Sequence, residues 1–249
     1  MKTAWAANEI ELVAAVDPLA GGEDIGILMG MGSLGLKVEP ELDRAFEQAK
    51  PDVMVDFTTP QTVFNNTILA LKHQVRPVVG TTGLSSDEIA QLKEISSASR
   101  LGCIVAPNFA IGALLMMRFA ADVCKYLPYV EIIEMHHDQK LDAPSGTAIK
   151  TAEIINAKRG NVQQGSAVEV EKIPGSRGGD YNNGIRIHSV RLPGLVAHQE
   201  LIFGGVGETL TIRHDSISRE SFMPGVLLAV RKVMELQEMV YGLENILLD

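Results

Sequence analysis

The sequence predicts an α/β protein, with a Rossmann-type parallel-sheet domain and a second α+β domain that contains a mixed sheet. Three observations lead to this prediction. In the first half, short apolar runs alternate with helical segments, which is typical of a parallel sheet covered by helices on both faces. After about Asn108 the strands follow one another closely. The length of 249 residues suits two modest domains better than one large core.

Four apolar runs in the first half are predicted to be buried strands. They cover residues 11–17, 53–57, 77–80 and 101–106. The second and third runs lead into predicted helices at residues 61–73 and 86–97, with Thr, Pro or Gly in the turns between strand and helix. A first domain over residues 1–107 follows from this alternation.

The second half is predicted to begin with a helix at residues 112–126, a strand at 129–136 and a helix that follows Pro144 and ends before Gly160. Further strands are predicted at residues 168–173, 185–192, 197–203 and 208–215, with a polar loop at 174–184. A last helix is predicted at 222–239. We therefore expect a second domain over residues 108–216, with residues 217–249 returning to the first domain.

Composition excludes several classes of function. The formal net charge is −9 and the chain contains no Lys/Arg-rich run, so we expect no binding to nucleic acid. No apolar run reaches the length of a membrane span, and no apolar stretch typical of a signal peptide follows the N-terminus. Cys103 and Cys124 lie in apolar surroundings without a C-x-x-C partner, which favours free thiols over a disulfide. A cytoplasmic protein is expected.

Two features of the sequence resemble parts of a dinucleotide-binding site. Asp17 ends the first predicted strand, where an acid can bond ribose hydroxyls, but a turn acid before Pro18 is an equally good interpretation. Residues 30–35 spell Gly-x-Gly-x-x-Gly, yet they precede no convincing helix and follow Asp17 instead of preceding it. We interpret them as a surface loop.

Small and polar residues follow three predicted strands. Ligands of open α/β sheets gather outside the carboxyl ends of the strands, so these residues together favour a nucleotide crevice over plain turns. The residues concerned are Asp56, Phe57 and Thr58; Gly80, Thr81, Thr82 and Gly83; and Ala106, Pro107, Asn108 and Phe109.

The segment over residues 134–148 carries the most chemistry. His136 and His137 end a strand, and Lys140 follows them. Histidine can donate a proton near neutrality, and lysine is a compact charge for a carboxylate. A helix start with unpaired N–H groups comes next, at Ser145, Gly146 and Thr147. The alternative is that the two histidines are purely structural. A metal site is disfavoured, because no other His or Cys lies at the spacing typical of metal ligands.

This segment reads Glu-x-His-His-x-x-Lys-x-Asp-Ala-Pro-Ser-Gly-Thr-Ala, and it resembles the 4-hydroxy-tetrahydrodipicolinate reductase (dihydrodipicolinate reductase) family. The resemblance continues through residues 53–59, 80–83, 106–112, 175–194 and 203–219. It implies an NAD(P)H-dependent oxidoreductase of diaminopimelate and lysine biosynthesis, which reduces a small cyclic dicarboxylate. It also implies a homotetramer, built through the second, substrate-binding domain.

The resemblance implies roles for particular residues. His136 matches the proposed proton donor and Lys140 the second proton-donating or charge-stabilising residue. The substrate-carboxylate contacts match His137, Ser145, Gly146 and Thr147. The nicotinamide-side contacts match Gly80, Thr81, Thr82, Ala106, Pro107, Asn108 and Phe109. Asp17 matches the acid that holds the ribose, and with Pro18 in place of an arginine it favours NADH over NADPH.

The beginning of the chain departs from the family pattern. Members begin with a strand and a Gly-rich turn that holds the cofactor diphosphate, whereas Met1 here falls inside the helix that follows that turn. The departure indicates either a fragment or mis-assigned start, or a weakened cofactor site. It motivates one alternative, a non-catalytic or cofactor-deficient subunit. A related oxidoreductase of another amino-acid precursor is a further alternative, which the His-His-x-x-Lys segment disfavours.

Overall fold

The computed structural model describes residues 1–165 and 170–247. The chain divides into two compact units. The first unit comprises Met1–Phe109 and Phe222–Asp249, and the second comprises Ala110–Ser221.

The described residues form eleven strands, numbered in chain order. They are β1 (Ala15–Val16), β2 (Val38–Glu39), β3 (Val53–Asp56), β4 (Arg76–Val79), β5 (Cys103–Val105), β6 (Tyr129–His136), β7 (Gly179–Tyr181), β8 (Ile185–Arg191), β9 (Ala197–Gly205), β10 (Glu208–Ser216) and β11 (Met239–Tyr241). The same residues form eight α-helices: α1 (Lys2–Trp5), α2 (Ile25–Leu28), α3 (Leu42–Ala49), α4 (Val63–Lys72), α5 (Ser86–Ser99), α6 (Ile111–Val123), α7 (Gly146–Lys158) and α8 (Met223–Val233).

A four-stranded parallel sheet, in the order β11-β5-β4-β3, forms the centre of the first unit. Its strands are almost continuously apolar, because helices cover them. Leu71 of α4 and Leu92 of α5 pack with Val79 and Cys103 of the sheet, and α8 packs against β3, β4 and β5. The Rossmann-type, parallel-sheet class predicted for this half of the chain is therefore confirmed.

The strand predicted at residues 11–17 is shorter than expected. Within this run only β1 forms a strand, and it pairs in parallel with β2 in a separate two-stranded sheet. Val38 of β2 forms a small core with Ile25 and Met29. The apolar residues before β1 pack as a loop, because an apolar run records burial and does not by itself distinguish a strand from a buried loop.

The Gly-x-Gly-x-x-Gly segment is a loop, as predicted. Its conformation is set by the carboxylate of Asp24, which accepts hydrogen bonds from the backbone N–H of Gly26, Leu34 and Gly35 and from the hydroxyl of Ser33, at 2.8–3.0 Å. These bonds hold the pKa of Asp24 well below its usual range. A negative charge already occupies the N–H groups of this loop, so the loop is unsuited to a phosphate.

The second unit contains a mixed sheet in the order β10-β9-β6-β8-β7. Strands β6 and β8 are parallel, and the other neighbours are antiparallel. One face packs on α6 and α7 through a core that includes Ile132, Ile155, Leu201 and Phe203. The predicted α+β domain with a mixed sheet is confirmed.

Three elements of the second half were predicted wrongly. Residues 170–173 are not a strand, and the rest of the strand predicted at 168–173 lies outside the described residues. The predicted polar loop instead contains β7. The last helix ends at Val233, and Met239–Tyr241 forms β11 beside β5. Three residues are too few to show the alternation of side chains that is typical of a strand. The pairing of β11 follows from the sheet itself, because β5 would otherwise be its unpaired edge.

Both cysteines are free and buried, as predicted. Burial raises the pKa of the Cys103 thiol to about 12. Over the described ranges, none of the helices combines the length and apolar character needed to cross a membrane.

Candidate active site

The second unit brings the His-Lys segment together at the end of β6. This strand ends at His136, and α7 begins ten residues later at Gly146. Since side chains alternate along a strand, Glu134 and His136 share one face, while Glu131 lies on the other. His137 follows the last strand residue and is exposed.

The Glu134 carboxylate is fully buried and fully bonded. Nη2 and Nη1 of Arg191 donate to its two oxygens at 2.7 and 2.9 Å. The Nδ1 atom of His136 lies 2.6 Å from Oε2, and the backbone N–H of Ser145 donates to Oε1 at 3.2 Å. One carboxylate therefore joins the ends of β6 and β8 to the start of α7.

The charges around Glu134 keep it ionised. Burial raises its pKa, but hydrogen bonds from Arg191, Ser189 and His136 outweigh that effect, so that the pKa lies below its ordinary value. The same pairing raises the pKa of Arg191. Because an ionised carboxylate only accepts, Nδ1 of His136 carries the hydrogen in this bond, and Nε2 is the nitrogen left for proton transfer.

His136 itself is mostly buried, with 16% of its side chain exposed. This burial lowers the pKa of the imidazole. The hydrogen bond and charge of Glu134 oppose the decrease, whereas the positive charges of Lys140 and Arg191 reinforce it. The imidazole thus gives up its proton more readily than an ordinary histidine.

The ammonium of Lys140 is held close to this group. Its Nζ lies 2.6 Å from Oδ1 of Asp142, and 21% of its side chain is exposed. The carbonyl of Asp142 accepts a 2.8 Å hydrogen bond from Nη2 of Arg191. An anionic ligand would compete with the Asp142 carboxylate for Lys140.

The start of α7 offers backbone donors. Ser145 is the N-cap, and its Oγ accepts from the N–H of Ala148 at 3.3 Å. The N–H groups of Gly146 and Thr147 lie in the first turn, where helix geometry supplies no acceptor. A Cβ built on Gly146 would meet no atom within 4 Å. The protein alone therefore does not require glycine there, whereas a ligand close to the backbone would.

The first unit brings its predicted polar residues together at the carboxyl ends of β3 and β4. Asp56 is buried, and its Oδ1 accepts from the backbone N–H and the hydroxyl of Thr58 and from the hydroxyl of Thr81, at 2.8–2.9 Å. Its Oδ2 accepts from Nδ2 of Asn66 at 2.9 Å. Asp56 thus connects the loops that follow two neighbouring strands.

An aromatic ring lies beside Gly80 at the same edge. A Cβ on Gly80 would come within 2.1 Å of Cε1 of Phe57. Phe57 is 55% exposed and contacts the buried ring of Phe109 in a tilted arrangement, with centroids 5.8 Å apart and an interplanar angle of 58°. The exposed ring of Phe57 lies beside the backbone of Gly80, and the hydroxyl groups of Thr58 and Thr81 are oriented by Asp56. This arrangement is suited to the nicotinamide end of a dinucleotide. Ala106, Pro107 and Asn108 follow β5 directly.

Asp17 follows β1 and is exposed. Its Oδ1 accepts a 2.8 Å hydrogen bond from the backbone N–H of Leu19, and its own N–H donates to the carbonyl of Glu39. This is the geometry of a turn acid, and Oδ2 remains accessible to a hydroxyl group.

The fold and these two groups of residues define the class: a two-unit oxidoreductase with a Rossmann-type sheet. The particular family follows from comparison with known proteins. Residues 1–109 match the family model described as dihydrodipicolinate reductase, N-terminus, and residues 112–247 match the one described as dihydrodipicolinate reductase, C-terminus. The chain belongs to the dihydrodipicolinate reductase family.

Several named relatives cover nearly the whole chain. The 4-hydroxy-tetrahydrodipicolinate reductase of Syntrophomonas wolfei is 54% identical over 96% of this chain and 90% of its own length. That of Listeria welshimeri is 53% identical over 99% and 94%, respectively. A solved structure from Paenisporosarcina sp. TG-14, described as dipicolinate-bound dihydrodipicolinate reductase, is 51% identical and superposes with a TM-score of 0.87, covering 98% of this chain and 92% of that one.

Sequence reasoning assigned no role to Glu134 or Arg191. The spacing of Glu134, two residues before His136 in a strand, was a signal that the two side chains share a face. Arg191 had no such signal, because it lies 57 residues from Glu134 and reaches it only through the pairing of β6 with β8.

Proposed function

We propose that this chain reduces 4-hydroxy-tetrahydrodipicolinate (dihydrodipicolinate) to tetrahydrodipicolinate with NAD(P)H, in the biosynthesis of diaminopimelate and lysine. One observation carries the proposal. A histidine with a lowered pKa lies beside a lysine charge and close to the bare N-terminus of a helix, in a chain about half identical to enzymes named for that reaction. The free buried thiols support a cytoplasmic location.

The substrate is a dianion, so its two carboxylates need positive partners. We assign this role to Lys140, to His137 and to the first turn of α7. Ser145, Gly146 and Thr147 form this turn, and its N–H groups and helix dipole favour an anion without adding a side-chain charge. Because the chain as a whole is acidic, these local groups must capture the substrate.

His136 is assigned the proton transfer. The 4-hydroxyl group leaves as water together with a hydrogen from the neighbouring ring carbon, and reduction then adds one hydride and one proton to the double bond that this elimination leaves. With Nδ1 bonded to Glu134, the protonated imidazole donates from Nε2 to the ring position that gains negative charge, and Glu134 stabilises the imidazolium beforehand. Lys140 stabilises the negative charge in the transition state or supplies a second proton.

The reduced nicotinamide supplies the hydride when it is bound. We assign its binding to the strand-end residues of the first unit: Phe57, Thr58, Gly80, Thr81, Thr82, Ala106, Pro107, Asn108 and Phe109. Asp17 is assigned to the adenosine ribose. A carboxylate there repels a 2′-phosphate, and Pro18 offers it no positive charge, so NADH is preferred over NADPH.

A homotetramer is proposed, assembled through the second unit. The face of its sheet opposite α6 and α7 carries half-buried apolar side chains such as Ile133, Met135 and Ile202. Burial of this face between subunits would remove apolar surface from water.

The test uses the purified full chain. Loss of the absorbance of NADH or NADPH is followed with and without 4-hydroxy-tetrahydrodipicolinate, and cofactor binding is titrated separately by fluorescence. Substrate-dependent oxidation, faster with NADH, is expected. Saturable NADH binding without turnover would overturn the proposed reaction, and no NADH binding at all would favour the cofactor-deficient alternative.

A further inference from the structure

We infer that Glu134 is a positioning residue for the proton transfer, and that its single carboxylate orients His136 and the helix start at Ser145 together. The inference deepens the proposed function and rests on it. Glu134 is fully buried behind these residues, so it acts through them and not on the substrate.

The first argument concerns the imidazole. A histidine can carry its hydrogen on either nitrogen, and its ring can rotate about χ2. The 2.6 Å bond from Nδ1 to Glu134 fixes both choices and leaves Nε2 for the transferred proton. Without the carboxylate, the ring would populate the other tautomer and lose its orientation.

The second argument concerns the anion-binding turn. The same carboxylate accepts the backbone N–H of Ser145, the residue that caps α7. The start of α7 is therefore held at a fixed distance from the imidazole. A substrate whose carboxylate binds the turn would meet His136 in one defined geometry, which is how orientation contributes to rate.

The third argument concerns Arg191, which serves as the permanent counter-charge. Its bidentate pair with Glu134 keeps the buried carboxylate ionised, and its additional bond to the carbonyl of Asp142 anchors the loop that carries Lys140. The carboxylate of Glu134, the proton donor His136 and the substrate-binding charge of Lys140 thus belong to one connected network at the ends of β6 and β8.

A matched control exists on the same strand. Glu131 also pairs with a histidine and an arginine: Nε2 of His188 lies 2.8 Å from its Oε2 and Nη2 of Arg177 lies 2.5 Å from its Oε1. This cluster has the same three residue types, but it lies on the opposite face of β6 from His136. Because that face is the one proposed to contact other subunits, Glu131→Gln is compared only in preparations that have the same assembly state as the unmodified protein.

The experiment compares Glu134→Gln with Glu131→Gln in the full chain. Among the described residues, the charged groups with the largest effect on the pKa of His136 are Glu134, which raises it, and Lys140 and Arg191, which lower it. Removal of the Glu134 charge lowers the pKa of His136 further, so the alkaline limb of kcat/KM should move to lower pH. We expect kcat to fall about 10- to 100-fold, a part of the 10²–10⁴ that a placed general acid contributes. NADH binding should be unchanged, and the pH limb of Glu131→Gln should stay where it is in the unmodified protein.

A second measurement does not depend on activity or on that variant folding well. The ring ¹⁵N shifts of His136, assigned with His136→Gln, report the tautomer directly. The unmodified protein should show the Nδ1–H form, and Glu134→Asp, which keeps the charge for Arg191 but withdraws the carboxylate by one methylene, should show a mixture of tautomers.

The inference would be overturned if Glu134→Gln left the pH profile unchanged or if Glu131→Gln shifted it equally. An Nε2–H tautomer of His136 in the protein without substitutions would also overturn it. These outcomes are distinct from failure of the proposed function, in which the unmodified protein itself would not oxidise NADH with the substrate.

Discussion

The imidazole of His136 is bonded through Nδ1 to the buried carboxylate of Glu134 at 2.6 Å, while the charge of Lys140 acts on the same ring. Burial is the largest cause of the lowered pKa of His136. This relationship determines how the proposed reaction should depend on pH.

The predicted pH dependence follows from the direction of that shift. A proton donor works only while protonated, so kcat/KM should fall as the pH rises through the pKa of His136. That limb should lie below about 6.5, the value of an ordinary histidine. Measurement of kcat/KM from mildly acidic to mildly alkaline pH checks this expectation, and a rate independent of pH over that range would contradict it.

Lys140→Met tests the assigned substrate charge. The variant keeps the apolar stem but removes the ammonium, so we expect kcat/KM to fall about 100-fold, with both a higher KM and a lower kcat. Lys150→Met is the control, since Lys150 is an exposed α7 residue whose pair with Glu153, at 3.2 Å, is of the weak surface type. Equal effects of the two substitutions would remove Lys140 from the site.

Gly146→Ala tests whether glycine at this position is required by the bound substrate or by the fold. The added methyl group meets no protein atom within 4 Å, so the melting temperature should not fall. If the substrate carboxylate packs on the first turn of α7, KM should rise about tenfold or more, while NADH binding stays unchanged. An unaltered KM would show that the substrate does not approach this backbone.

Asp56→Asn tests the strand-end loops of the first unit. The new side chain keeps one oxygen and gains an NH2 group, which must face either Nδ2 of Asn66 or the donors of Thr58 and Thr81, so one side of the site opposes donor to donor. NADH affinity should fall about tenfold. The double variant Asp56→Asn with Asn66→Asp restores one donor and one acceptor and should recover part of the affinity. Fluorescence titration measures both, and no loss in the single variant would contradict the assignment.

Long elements were predictable from the sequence, and short or non-local ones were not. Strand β6 and helix α7 match their predicted bounds, because period and capping residues are local signals. Strand β11 was missed since three residues carry no period. The division of the first unit into two parallel sheets was also not foreseen.

The candidate site followed the same rule. His136, Lys140 and Ser145 could be grouped because they are close in the chain. Arg191 reaches Glu134 only through the register of β6 with β8, in which His136 pairs with Arg191. Such partners appear only when the sheet is assembled.

The most direct test of the central claim is His136→Gln, assayed for turnover and for NADH binding in the same preparation. We predict that kcat falls by about 10²–10⁴ while NADH affinity is unchanged, since the residue transfers a proton and does not hold the cofactor. Turnover equal to that of the unmodified protein, or a loss of NADH affinity as large as the loss of turnover, would contradict the account.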